Sequence, residues 1–214
     1  GVHPNVDGQL VMALSILKGM QAFNKSLITS IDVTSKEISS GDGVTVEKLN
    51  STNMGLSFTM LTPRIPVPVL PAKVISWPGK YDKNIIRVEN LVPGWYMIEI
   101  DKHKIKTVNS RDLANGVNLN AFANNPQIVQ ANKLFNATEM RNQAFYHRWR
   151  WVLLDSVHRP TDFTPFRVDA PQAVLDSLIQ AEKEAFALQH ELNQPKAHNF
   201  RIYNIDDPAM ALST

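Results

Sequence analysis

The stretch GVHPNVDGQLVMA opens the sequence with a histidine, His3, directly before a segment patterned as a helix. An imidazole with a pKa near neutrality can take a proton from a hydroxyl nucleophile and return it to a leaving alcohol. It does so only if a serine lies within hydrogen-bond reach and an acid fixes its tautomer. The chain has no cysteine, so thiolate nucleophiles, Cys–zinc sites and disulfides are excluded. His103 and His147 have no partners at ligand spacing, and no metal site or cofactor is expected. FYHRWRW at 145–151 interleaves basic and aromatic residues. It reads as an amphipathic helix that buries Phe145, Trp149 and Val152 and exposes Arg148. Trp77, Tyr81, Trp95 and Tyr96 fall in a β-patterned region, where only one of the adjacent pair Trp95 and Tyr96 can face inward.

These residues need elements to hold them. The sequence has 214 residues, 43% of them apolar, which is enough to bury a core in one large or two small domains. Charged residues make up 20%, the formal net charge is +2, and lysine and arginine are spread evenly. Nucleic acid is therefore not an expected partner. No apolar run approaches the roughly 20 residues that span a bilayer, so no membrane partner is expected either.

The pattern predicts α+β organisation in three parts. A helix runs from Val6 to about Phe23, capped by Asn5, with Asp7 in its first turn and Leu10, Ala13, Leu14 and Leu17 at helical spacing. Residues 24–123 read as a small, mostly antiparallel, sandwich-like β domain. Its turns fall at Pro93-Gly94 and Asp101-Lys102, and RIPVPVLP is an extended crossing segment. Residues 124–214 read as a helical hairpin, Pro126 to about Val157 and Pro171 to about Leu192, followed by a short extended tail, HNFRIYNI. The second helix presents Val174, Leu175, Leu178, Ile179, Ala185, Phe186 and Leu192 as its apolar face, and the acidic run Glu182 to Glu191 is a solvated face.

The opening His-Pro-Asn followed by an aliphatic helix resembles the last block of the SGNH (GDSL-type) ester hydrolases. In that family a D-x-x-H motif supplies the triad Asp and His just before the final helix of an α/β catalytic domain. IIRVENLVPGWYMIEID, LANGVNLNAF and QPKAHNFRIYNI resemble the C-terminal extension of a secreted bacterial subgroup. The resemblance implies that residues 1–23 are the last loop and helix of a truncated catalytic domain, with His3 as general base and acid. It implies an acyl-enzyme mechanism, an extracytoplasmic or secreted location, an ester substrate that could be an acylated carbohydrate, and no cofactor.

The departures from the pattern define what is missing. The family's Asp would stand one position before Gly1, outside this sequence. Ser40-Gly41-Asp42-Gly43 has the wrong order for the nucleophile block, and Asn53-Met54-Gly55 is no match for the oxyanion block. The expected partner is therefore an upstream catalytic segment of the same protein, and the chain alone is expected to be inactive because a triad acts as a unit. The alternative is a non-catalytic accessory module that binds glycan or a protein partner.

Overall fold

The computed structural model describes residues 4–20, 26–68, 82–156 and 172–206. Helix α1 spans Val6–Gly19. Asn5 caps it as its sequence requires, the side-chain oxygen accepting from Gly8 N at 2.9 Å, and Asp7 sits in the first turn. Met20 is its C-cap, and residues 21–25, which include the rest of the expected helix, are outside the described residues. The predicted apolar stripe is not covered: Leu10 and Leu14 are half-buried, while Ala13 and Leu17 are exposed.

The β unit contains two sheets. Strands β1 (Leu27–Asp32), β2 (Ile38–Ser40), β3 (Thr45–Thr52) and β4 (Gly55–Leu61) precede β5 (Asn84–Glu89), β6 (Trp95–Ile100) and β7 (His103–Asn109). A short helix α2 (Ser110–Asn115) and the two-residue β8 (Val117–Asn118) follow, and β9 (Ala197–Asn204) comes from the far end of the chain. One sheet has the order β2-β1-β5-β8, the other β3-β4-β9-β6-β7. Every pairing is antiparallel except β1 with β5, which runs parallel from Leu27↔Asn84 to Asp32↔Glu89.

Period-2 alternation drives this assembly. Ile31, Ile86 and Val88 point inward from the first sheet, and Phe58, Met60, Ile98, Ile100, Phe200 and Ile202 from the second, into one shared core. Tyr96 is fully buried, its hydroxyl donating to Val92 O at 2.8 Å, and its neighbour Trp95 is exposed, as adjacency on a strand requires. Asp101 and Lys102 both take positive φ (49° and 68°), the two-residue turn whose twist suits the β6–β7 hairpin. The Pro93-Gly94 segment instead carries the chain from one sheet to the other.

The expected C-terminal tail is the centre of a sheet. β9 lies between β4, pairing from Gly55↔Tyr203 to Leu61↔Ala197, and β6, pairing from Tyr96↔Asn204 to Ile100↔Phe200. The boundaries at 123 and 124 are corrected accordingly. One compact unit takes the chain through Ala131 together with the segment from Pro195, and the helical unit is Asn132–Gln194. Alternating His198, Phe200 and Ile202 carried the strand signal, but its partners lie about 100 to 150 residues earlier.

Helix α3 runs Pro126–Ser156, with Asn125 as its cap and Pro126 at the first position, where no amide donor is needed. Its first six residues belong to the β unit and the rest to the helical unit. There α4 (Gln172–Leu192) runs antiparallel to it. Gln189 Nε2 donates to Thr138 Oγ1 at 2.7 Å, Arg141 lies over the Phe186 ring at 4.8 Å, and Arg148 pairs with Glu182 at 2.9 Å.

FYHRWRW is arranged opposite to expectation. Phe145 (49% exposed) and Trp149 (39%) face outward, and Arg148 is half-buried in its ion pair. The seam is Ala137, Arg141, Ala144 and Arg148, a 4-3-4 spacing of small residues and arginines rather than the aromatic stripe beside it. The Val152 side chain and Pro171 lie outside the described residues, as do Trp77 and Tyr81. On α4, Ala185 and Leu192 are buried, but Ile179 and Phe186 are exposed. Glu182 departs from the solvated acidic face by pairing with Arg148.

Candidate functional site

His3 lies outside the described residues, so the geometry around it is not part of the structure. The element that would carry it is described. A capped helix begins three residues after it and presents Val11, Met12, Ile16 and Met20 to the exterior.

A different histidine has the partner His3 was expected to need. His198 Nδ1 lies 2.6 Å from Asp101 Oδ2, and Asp101 Oδ1 accepts from the Asn199 amide at 2.8 Å. With Nδ1 protonated, the ring donates to the carboxylate and turns Nε2 into the core, where that atom is buried and has no partner. His198 is 6% exposed, so no substrate reaches Nε2. The pair ties the β6–β7 turn to the central strand. Sequence reading missed it because both residues sat in segments assigned only as a turn and a tail.

A second buried polar group fixes where α3 begins. Gln127 Nε2 donates to Thr62 Oγ1 at 3.0 Å, and its Oε1 accepts from Asn84 Nδ2 at 3.2 Å. Asp82 holds the same region together. Its carboxylate accepts from Val67 N at 2.8 Å, from Asn120 Nδ2 at 3.3 Å and from Arg64 at 3.3 Å. Elsewhere, hydrogen bonds from Asn90 and from the Thr34 and Ser35 amides hold the Asp32 carboxyl below its ordinary pKa. Burial, with the Glu99 charge adding to it, raises the Tyr203 phenol above its own.

The open surface with the most chemistry is the outer face of the four-stranded sheet, where a groove of about 810 Å³ lies. Pairing sets Ser39 opposite Ser30 on β1 and β2, and Ser30 beside Arg87 on β1 and β5, so the three side chains form one row. Gly116 continues that row, and a Cβ there would lie 3.2 Å from Arg87 Nε. Its missing side chain is the space over which the guanidinium lies. Arg87 has no hydrogen-bond or ion-pair partner among the described residues, and its Nε is buried. Ile28 and Pro63 supply apolar surface, and Ser26 and Asp42 stand toward the other end. Ser40-Gly41-Asp42, which the sequence offered only as a mismatched nucleophile string, lines this groove.

The fold is shared with part of a known enzyme. A solved structure of a gut microbial diltiazem-metabolizing enzyme superposes with a TM-score of 0.73 at 20% identity, over 95% of this chain and 55% of that one. At that identity the likeness is one of fold, and the chain spans about half the length of that enzyme. No family model and no curated protein matches the sequence.

The chain therefore has an α+β fold that recurs within an enzyme. Among the described residues there is no group of three or more His, Asp or Glu that could hold a metal ion. No described helix is long and apolar enough to cross a membrane.

Proposed function

We propose that this chain is the C-terminal part of a serine ester hydrolase of SGNH type, with His3 as the general base of a triad completed by an upstream segment. The observation that carries this reading is α1. It is a well-capped helix directly after His-Pro-Asn, and its Val11, Met12, Ile16 and Met20 are exposed. An apolar helix of this length does not persist alone in water and requires a packing partner. The last helix of a catalytic domain would have one in the remainder of that domain.

The fold likeness adds support. A solved enzyme chain superposes on 95% of this chain over 55% of its own length, so the shared fold occurs there as part of a longer enzyme. Diltiazem carries an acetyl ester, so a role for that fold in an ester-cleaving protein is chemically coherent.

The mechanism follows from acyl-transfer chemistry. The His3 imidazole removes the proton of the upstream serine as its oxygen attacks the ester carbonyl. The imidazolium then protonates the departing alcohol, and the same ring activates the water that releases the acid. An Asp immediately before Gly1 would hold the ring in its tautomer. The substrate would be an ester, with acylated carbohydrate as the proposed class, and the location extracytoplasmic.

Two observations test this. The reading frame should place Asp directly before Gly1 and a Gly-Asp-Ser block further upstream. Protein made from that frame should be labelled by a fluorophosphonate that captures activated serines. A frame without these residues, or protein that resists labelling while folded, would sink the reading.

A further inference from the structure

We infer that the groove on the outer face of the four-stranded sheet binds a neutral saccharide through Ile28, Ser30, Ser39, Asp42 and Arg87. The inference does not depend on the hydrolase reading, because it uses neither His3 nor any upstream residue.

The chemistry of the surface selects the ligand class. A sugar ring has an apolar C–H face and a rim of hydroxyls that both donate and accept. The groove offers the complement. Ile28 and Pro63 form an apolar floor where Gly41 contributes no side chain. Around it stand hydroxyls that can donate or accept, a guanidinium that only donates and a carboxylate that only accepts. The hydroxyls of Ser26, Ser30 and Ser39 are not engaged by other described residues, and neither is Arg87. The volume of about 810 Å³ falls in the range of small-molecule sites, about 300–1,000 Å³.

Charge argues for a neutral ligand over an anion. Arg64, the second guanidinium of the groove, is paired with Asp82 at 3.3 Å. Asp42 also lines the groove, so its one guanidinium without an ion pair stands against one carboxylate. A lining whose formal charges nearly balance suits a neutral ligand better than a carboxylate or sulfate.

Position argues that the donors are set in advance. Ser39, Ser30 and Arg87 stand in one row across three hydrogen-bonded strands. The Arg87 side chain rests over Gly116, whose φ of +107° and close approach disfavour any larger residue. Rigid sheet positions of this kind hold a binding constellation with less loss of side-chain freedom than loops do.

The test is a ¹H–¹⁵N NMR titration of the 214-residue chain with maltotriose, xylotriose and lactose, with sodium glucuronate and sodium sulfate as charged arms. Saturable shifts are expected for the amides of Ile28, Ser30, Ser39, Gly41 and Arg87 with at least one neutral saccharide. Arg87→Gln should weaken that binding by at least about tenfold, the equivalent of one charge-assisted hydrogen bond. Ser39→Ala, on an exposed edge strand, should weaken it without altering the thermal midpoint. The inference is overturned if none of the neutral saccharides shifts these amides or if only the charged arms do. It is equally overturned if folded Arg87→Gln and Ser39→Ala bind as the unaltered chain does.

Discussion

His198 Nδ1 and Asp101 Oδ2 lie 2.6 Å apart, joining the start of the central strand to the tip of a hairpin whose two turn residues both have positive φ. In composition this is two-thirds of a hydrolytic triad. In position it is a structural clamp, because Nε2 faces the core and His198 is sealed from solvent. Asp101→Ala removes the acceptor for both the ring and the Asn199 amide. It should lower stability by about 1–3 kcal/mol in urea unfolding, within the range for hydrogen bonds to charged groups. It should leave any ester hydrolysis unchanged once the protein is folded.

Gln127 joins the first turn of α3 to Thr62 and Asn84. Gln127→Ala leaves a buried amide and a buried hydroxyl without their shared partner. The expected cost is about 1–3 kcal/mol, read from the denaturation midpoint. Amide exchange should accelerate first at the start of α3 if the network sets where that helix begins.

Asp32 gives a pH-dependent outcome. Its carboxylate is held below the ordinary range by Asn90, Thr34 and Ser35, so the folded state binds its proton less readily than the unfolded chain. The stability it contributes is present above the unfolded pKa, about 3.9, and is lost as pH falls through the folded value. Asp32→Asn should therefore be less stable than the unaltered chain at pH 6. The gap should shrink as pH is lowered through 4 toward 2, and a gap that widens in acid would contradict the assignment.

Gly55 lies against the backbone of β9 with no room for a side chain. A Cβ there would lie 2.5 Å from Ile202 O and 3.1 Å from Tyr203 Cα, both main-chain atoms of a central strand. Gly55→Ala forces the strands apart and should cost about 1–3 kcal/mol, the usual range for overpacking. Gly19→Ala, with nothing within 4 Å of its Cβ, is the matched control and should not destabilise.

What the residue pattern made legible was local. Asn5 capping α1, Pro126 opening α3, only one of Trp95 and Tyr96 facing inward and the Asp101-Lys102 turn all follow from chemistry within a few residues of each position. Long-range pairing was not legible. HNFRIYNI alternates as a strand should, but nothing within it names β4 and β6 as neighbours, so a central strand read as a tail. The aromatic stripe of FYHRWRW misled because apolar spacing locates a face, whereas the contact with α4 uses Ala137 and Ala144 for closeness and Arg148 for a salt bridge. The Ser39–Ser30–Arg87 row was invisible for the same reason as β9. Its members lie on three strands spread over almost 60 residues and meet only through sheet register.

The central claim, that His3 is the catalytic base of a serine ester hydrolase, is tested most directly by one rate comparison. Initial rates of p-nitrophenyl acetate hydrolysis would be measured for protein made from the whole reading frame, with His3 and with His3→Ala, each verified as folded. The account predicts turnover with His3 and a loss of at least about 10³-fold on its replacement, as expected when a triad loses its base. Equal rates for the two folded proteins would contradict it.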